Sequence, residues 1–465
     1  LAKNYWKAFY AGIAKCNYLL QNMSRGKDNV APATYTQIKA EAQFLRALYY
    51  SYLIELYGDV PLITDVLTLE TGQQPRNPKS EVVDFILKEY TEAAENLPST
   101  NNPTSGHATK GAALALKART ALYNERWQEA ISASQAVMTM EGTEYIIEDD
   151  YSKLFKYEGQ TSKEVIFSVQ YLLGTKVHAL YRLFGSRNAL AHTNKKPAYQ
   201  LADTWECIDG KQIDKSPMFD PKHPYENRDP RLGYTLAVSG SEFLGFQFET
   251  HGDSTKCWNY MTNQRVDNLE ATHAYATFTG ICWRKYANIE DKDALNDCDM
   301  NTILIRYPEV LLTYAEAKIK VGEIDASVLE AINKVRQRPS VKMPPITTTD
   351  PNELFYAVAR ERKYEFSGEG LRLFDIRRWK IAETVMNQPL LGRMKKSYPD
   401  KAPRIDEWGT AFYEGIPIAE SGESADFKMR IVDIRKFDKN RDYLWPIPYI
   451  ERQTNPNLTQ NPNYE

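Results

Sequence analysis

The chain has 465 residues, with 58 Lys or Arg against 61 Asp or Glu, a formal balance of −3. Charge so evenly matched gives no electrostatic draw toward nucleic acid or anionic lipid, which excludes a basic-patch function. The length suffices for one large core or two modest ones, no linker of biased composition divides it, and no run of 18 apolar residues offers a membrane span, so one continuous body over 1–465 is expected.

Trp6, Phe9, Tyr10, Ile13, Cys16, Asn17 and Leu20 recur every three or four residues, as do Ile38, Leu45, Leu48, Tyr49, Tyr52, Leu53 and Leu56. Both are apolar stripes of amphipathic helices. The interval 24–32, holding Gly26 and Pro32, is short enough to fold them into an antiparallel pair. A further helix from 79 to 97 ends before Pro98. A second pair joins 111–123 to 127–138 across Asn124-Glu125-Arg126. Residues 142–302 read differently, with short β-prone pieces such as 164–169 and 279–283 between clusters of Gly, Pro, Asn and Asp. A third pair couples 308–321 to 326–336 around Gly322, and a fourth is hinged at Ser367-Gly368. Asp350-Pro351-Asn352-Glu353 supplies a capping carboxylate, a proline at the first helical position and a reciprocal Glu, and Asn77-Pro78 repeats part of that signal. Residues 387–465 are again loop-rich.

These hairpins resemble degenerate tetratricopeptide repeats without the strict 34-residue period. The expected fold is therefore mostly α. Tetratricopeptide-like hairpins over 1–141 and 303–386 form a right-handed superhelical scaffold, and 142–302 with 387–465 form an irregular lobe with short strands. Loops on a repeat scaffold are free to vary, so recognition is expected in the lobe.

The stretch from Arg360 to Trp379 crowds six cationic and four carboxylate side chains among Tyr364, Phe366, Phe374 and Trp379. Charges this dense among rings survive burial only when partnered, which predicts an internal ion-pair network. Cys16, Cys207, Cys257, Cys282 and Cys298 show no paired spacing, so no disulfide framework is expected, and Cys16 falls within an apolar stripe. No phosphate-binding, dinucleotide, zinc-protease or nucleophile-elbow motif occurs, and the six histidines never fall four apart. Paired carboxylates of a glycosidase cannot be told from the general abundance of Asp and Glu. No catalytic residue, metal or cofactor is assigned.

The same signature around Gly368 resembles the C-terminal motif of the SusD/RagB family of surface nutrient-binding lipoproteins. Four further motifs agree in order: 41–50 running into Leu56-Tyr57-Gly58-Asp59-Val60-Pro61-Leu62, Asn227-Arg228-Asp229-Pro230-Arg231-Leu232, Ile305-Arg306-Tyr307-Pro308-Glu309 with Ala315-Glu316-Ala317, and Tyr443-Leu444-Trp445-Pro446-Ile447-Pro448 with 455–462. The resemblance implies a non-catalytic receptor on the extracellular face of the outer membrane. It would capture an oligo- or polysaccharide and deliver it to a SusC-like, TonB-dependent β-barrel. Because the chain opens at Leu1 inside a helical stripe, the family's secretory signal and lipid-anchoring cysteine are expected upstream of it. Two alternatives remain, a RagB-like receptor for peptides and a tetratricopeptide-type scaffold gripping a protein.

Rings beside amides in the lobe are the candidate glycan contacts. Trp258 and Tyr260, two apart on an extended segment, would share a face with Asn259 and Arg265 nearby, stacking a pyranose and bonding its hydroxyls. Tyr275 and Phe278 form a second candidate, and Trp205 beside Asp209-Gly210 a third. One stacked ring removes roughly 100 Å² of apolar surface, about 2.5 kcal/mol. Association entropy offsets most of this, so several rings are needed for millimolar to micromolar binding.

Overall fold

The structure is a computed structural model, and residues 1–464 are described. Helices α1 (Ala2–Asn22), α2 (Pro32–Tyr57), α3 (Lys79–Asn96), α4 (Lys110–Tyr123) and α5 (Trp127–Met138) pack each on the next. The stack continues from α5 onto the helix Tyr307–Lys320, which packs in turn on Ala326–Arg336 and Pro351–Phe366. The chain thus leaves the stack after α5, builds most of the lobe, and returns beside the helix it left. The tetratricopeptide-like scaffold is observed, and its main core runs from Trp6 through α2 to α5 to Leu371.

Local sequence explains the packing. Gly111, Ala112, Ala113, Ala115, Ala118 and Ala121 are buried on several sides of α4, so its neighbours approach closely. The turn to α5 closes with Glu125 in the left-handed region at φ 61°. Asp350 caps Pro351–Phe366 by accepting from the amides of Asn352 and Glu353. Two capping expectations are corrected. Glu353 does not reach back to Asp350 but accepts from the Thr348 hydroxyl, and Asn77 accepts from the Leu62 amide while Asp59 receives the first amide of α3.

The lobe is assembled from short antiparallel ladders and one four-stranded sheet, Glu242–Phe243, Phe246–Gln247, Lys256–Asn259 and Gln264–Asp267 in that order. Two pieces of the expected irregular regions instead belong physically to the scaffold. The strand Val165–Val169 pairs with Thr302–Arg306, and Phe167 lies 5.1 Å from the Phe44 ring. Near the C-terminus the Trp445 amide donates to Leu56, and the Asn461 amide side chain donates to the Tyr57 carbonyl.

The charged signature is a buried network, as its composition predicts. Glu365 accepts from Arg231, Arg306 and Arg338; Glu164 from Arg306 and Arg338; Glu361 from Arg231 and Arg336; Glu369 from Arg306 and Lys285. Asp229 with Arg231, and Glu206 with Arg336 and Arg360, close it. The network holds six cations and six carboxylates, so it is neutral, which is the condition for tolerating burial. A second set links Arg362, Asp375, Arg378 and Glu316. Lys363 departs from the expectation: it donates to the Gly409 carbonyl, and burial holds its ammonium well below the ordinary value.

Candidate functional site in the irregular lobe

The strand Lys256–Asn259 alternates, turning Cys257 and Asn259 inward and Lys256 and Trp258 outward. Its register sets Trp258 directly opposite Arg265 and Lys256 opposite Asp267, with Lys256 and Asp267 paired at 2.6 Å. Half-buried Trp258 therefore lies beside the exposed Arg265 guanidinium on the outer face. This arrangement can stack an apolar sugar face and donate to its hydroxyls.

The neighbours on either side behave differently from expectation. Asn259 is buried, and its side-chain oxygen accepts from the amides of Met261 and Thr262, closing the hairpin turn. It holds the turn and does not face a ligand. Asn263 carries the turn's left-handed residue at φ 54°. Because the strand ends at Asn259, Tyr260 belongs to that turn and does not share a strand face with Trp258; it is 45% exposed at the tip.

Tyr275 and Phe278 follow a short helical turn, Leu269–Thr272, anchored by buried Asn268, whose amide donates to the Glu249 and Ser254 carbonyls. Tyr275 is 66% exposed and has the Arg187 guanidinium 5.9 Å from its ring centre. Arg187 donates to the Tyr275 carbonyl at 2.9 Å, and the next residue, Asn188, donates to Asp267 at the end of the hairpin. Residues 187–188 thus tie the two candidate patches together. The half-buried Phe278 ring has the Lys196 ammonium at 4.2 Å and the Arg430 guanidinium at 4.5 Å from its centre.

Trp205 is corrected. It is 0% exposed, packed among Ala202, Leu232, Leu236 and Ile281, and stacked on Tyr364 at 6.2 Å. Its role is core, and a sugar has no access to it. One ring cluster had no local signal: Phe355, Tyr356, Trp379 and Trp408 meet half-buried where scaffold and lobe join, with Trp408 5.0 Å from Tyr356 and 5.5 Å from Trp379. Lys320 caps its Phe355 ring at 3.8 Å. These rings come from three separate stretches of chain, and only folding brings them together.

All five cysteines are buried thiols, and burial pushes the Cys16 thiol up to about 11. Among the described residues no group of three or more His, Cys, Asp or Glu side chains is arranged to hold a metal ion, and no described helix is long and apolar enough to cross a membrane.

A stack of tetratricopeptide-like helical hairpins carrying a lobe of short ladders defines the class of fold. The chain belongs to the SusD family, whose model matches residues 163–464. A second model, described as starch-binding and associating with the outer membrane, matches residues 1–122. A SusD-like carbohydrate-binding protein of Bacteroides fragilis is 31% identical, over 98% of this chain and 86% of that one, with a TM-score of 0.82. The surface glycan-binding protein A of Bacteroides fluxus is 21% identical, over 99% and 85% of the two chains, with a TM-score of 0.66. A SusD-like protein of Bacteroides ovatus is 23% identical over 98% of this chain and 80% of its own length.

Proposed function

We propose that the protein binds an oligo- or polysaccharide at the outer face of the outer membrane without altering its bonds, and delivers it to a SusC-like TonB-dependent barrel. In this reading the scaffold faces the barrel, the lobe holds the nutrient, and a lipid anchor outside this chain tethers the whole. The observation carrying the glycan assignment is Trp258 set beside Arg265 on the outer face of a sheet whose other face is packed. The B. fragilis relative, described as carbohydrate-binding, adds support. The carboxylates of the C-terminal signature are engaged by arginines and lysine, which suits a structural role for them and no bond-breaking one.

The test is a glycan array followed by calorimetry with the best class, wild type against Trp258→Ala. Binding in the millimolar to micromolar range that weakens about tenfold in the variant supports the site. Unchanged binding removes Trp258 from it, and release of new reducing ends from the bound glycan overturns the non-catalytic reading. Delivery is tested separately by co-purification with a TonB-dependent barrel from the same membrane.

A further inference from the structure

We propose that the sugar taken by this lobe is acidic, its carboxylate or sulfate group seated between Lys196 and Arg430 beside the Phe278 ring. The proposal rests on the glycan-binding reading and narrows it. Lys196 and Arg430 come from distant parts of the chain, yet each lies within 4.5 Å of one ring centre, so their charged heads are less than about 9 Å apart. Neither enters an ion pair among the described residues. Neither does Arg187, whose charge also acts on Lys196, nor Lys395, which lines the same hollow as Arg430.

Neighbouring cations are satisfied, and Arg187 donates to the Tyr275 carbonyl, which sets Lys196, Lys395 and Arg430 apart. Lys396 has Asp253 and Asp426, Lys428 has Glu423, and Arg393 donates to Ser239 and Thr250. Contact with an aromatic face offsets only part of the repulsion between two cations. Burial first, and the Arg187 and Arg430 charges after it, hold the Lys196 ammonium below its ordinary value. The carboxyl that acts on Lys196 in the opposite sense is Glu270. Burial raises that group's proton affinity, and it already accepts from the Arg187 amide. An arriving anion at the Phe278 ring would therefore meet Lys196 and Arg430, with the Arg187 charge behind them and Glu270 already engaged by the Arg187 amide.

The hollow beside Arg430 has a volume of about 430 Å³, within the roughly 300–1,000 Å³ of small-ligand sites, and Ser421, Ser424, Ile431 and two carboxylates, Glu420 and the Lys428-paired Glu423, share its lining. Phe278 supplies an apolar face for the ring of a sugar whose acid group reaches the cations.

The experiment titrates the purified protein with oligogalacturonate, a sulfated galactan oligosaccharide and a neutral galactan oligosaccharide of matched length. At least one acidic probe is expected to bind tenfold or more tighter than the neutral one, and to weaken several-fold when salt is raised from low to about 0.5 M. Whether uronate or sulfate is preferred identifies the acid group. In Lys196→Gln/Arg430→Gln the acidic advantage should disappear, while Arg430→Lys retains part of it and the melting temperature confirms folding. Neutral glycans binding as well as acidic ones would overturn the proposal and leave the glycan-binding reading standing. Acidic binding untouched by the double substitution overturns the site, and no binding by any glycan overturns both.

Discussion

Asp203 shows how a single buried carboxyl shapes the acid response. Burial raises its pKa to about 6 against the opposing hydrogen bond from the Tyr413 hydroxyl at 2.5 Å. A folded-state affinity for protons above that of the unfolded chain contributes stability fully below about pH 4, and loses it as the pH rises through about 6. Asp203→Asn does not titrate, so relative to wild type its unfolding free energy should rise between pH 4 and pH 7, by up to ~3 kcal/mol. Urea denaturation at the two pH values reads this directly, and a constant difference would show that Asp203 is not protonated in the fold. Trp205 teaches the converse lesson about reading rings. Its neighbours Asp209-Gly210 signal a loop, but the residue that buries it, Tyr364, lies far along the chain in the charged signature, so no local pattern could separate it from Trp258.

At the level of elements, the helices were legible because a 3.6-residue apolar period is written locally. The pairs at α1–α2, α4–α5 and 307–336 match their expected bounds within a few residues. The hairpin 256–267 was legible only as extended chain, since its turn depends on Asn259 and Asn263, and that placement decided the fate of Tyr260. The hinge of the fourth pair offers a test of backbone conformation against crowding. Gly368 and Gly370 both sit at φ 85°, but a Cβ at Gly368 would meet the Trp283 ring at 3.2 Å while one at Gly370 meets nothing within 4 Å. Gly370→Ala should cost about 1–2 kcal/mol from the left-handed backbone alone, and Gly368→Ala more than that. Equal losses in melting temperature would mean the Trp283 ring moves aside freely.

For the whole molecule, the neutral twelve-group network is the joint between scaffold and lobe, because Glu361, Glu365 and Glu369 reach Arg231 and Lys285 across it. Glu365→Gln leaves three arginines short of one charge and should destabilise by about 3–5 kcal/mol, as removal of one partner from a buried pair does. Arginine contacts hold the Glu365 and Glu369 carboxyls below their usual range despite burial. Their contribution is therefore complete above about pH 4.3 and lost as the pH falls through their depressed values. Wild type should accordingly keep the network intact at mildly acidic pH, and its stability should change little with salt because the groups are shielded from water. Unfolding already complete near pH 5 would contradict this. The existence of such a network was legible from charge density, whereas its partners were not: Glu164, Asp229, Arg231 and Arg306 enter from the lobe and its border. For the same reason Lys196 and Arg430 were missed, two cations 234 positions apart that share one ring.

Residues 445–461 close over helices α1 and α2, about 400 positions earlier in the chain. Trp445 packs its ring on Tyr5 and Tyr57, and Asn461 bonds Tyr57 and Arg76, so the α1–α2 hairpin lacks its cover until this distant segment has been made. Stopping translation at residue 442 should yield a product that proteases cut within α1, whereas the finished chain resists them.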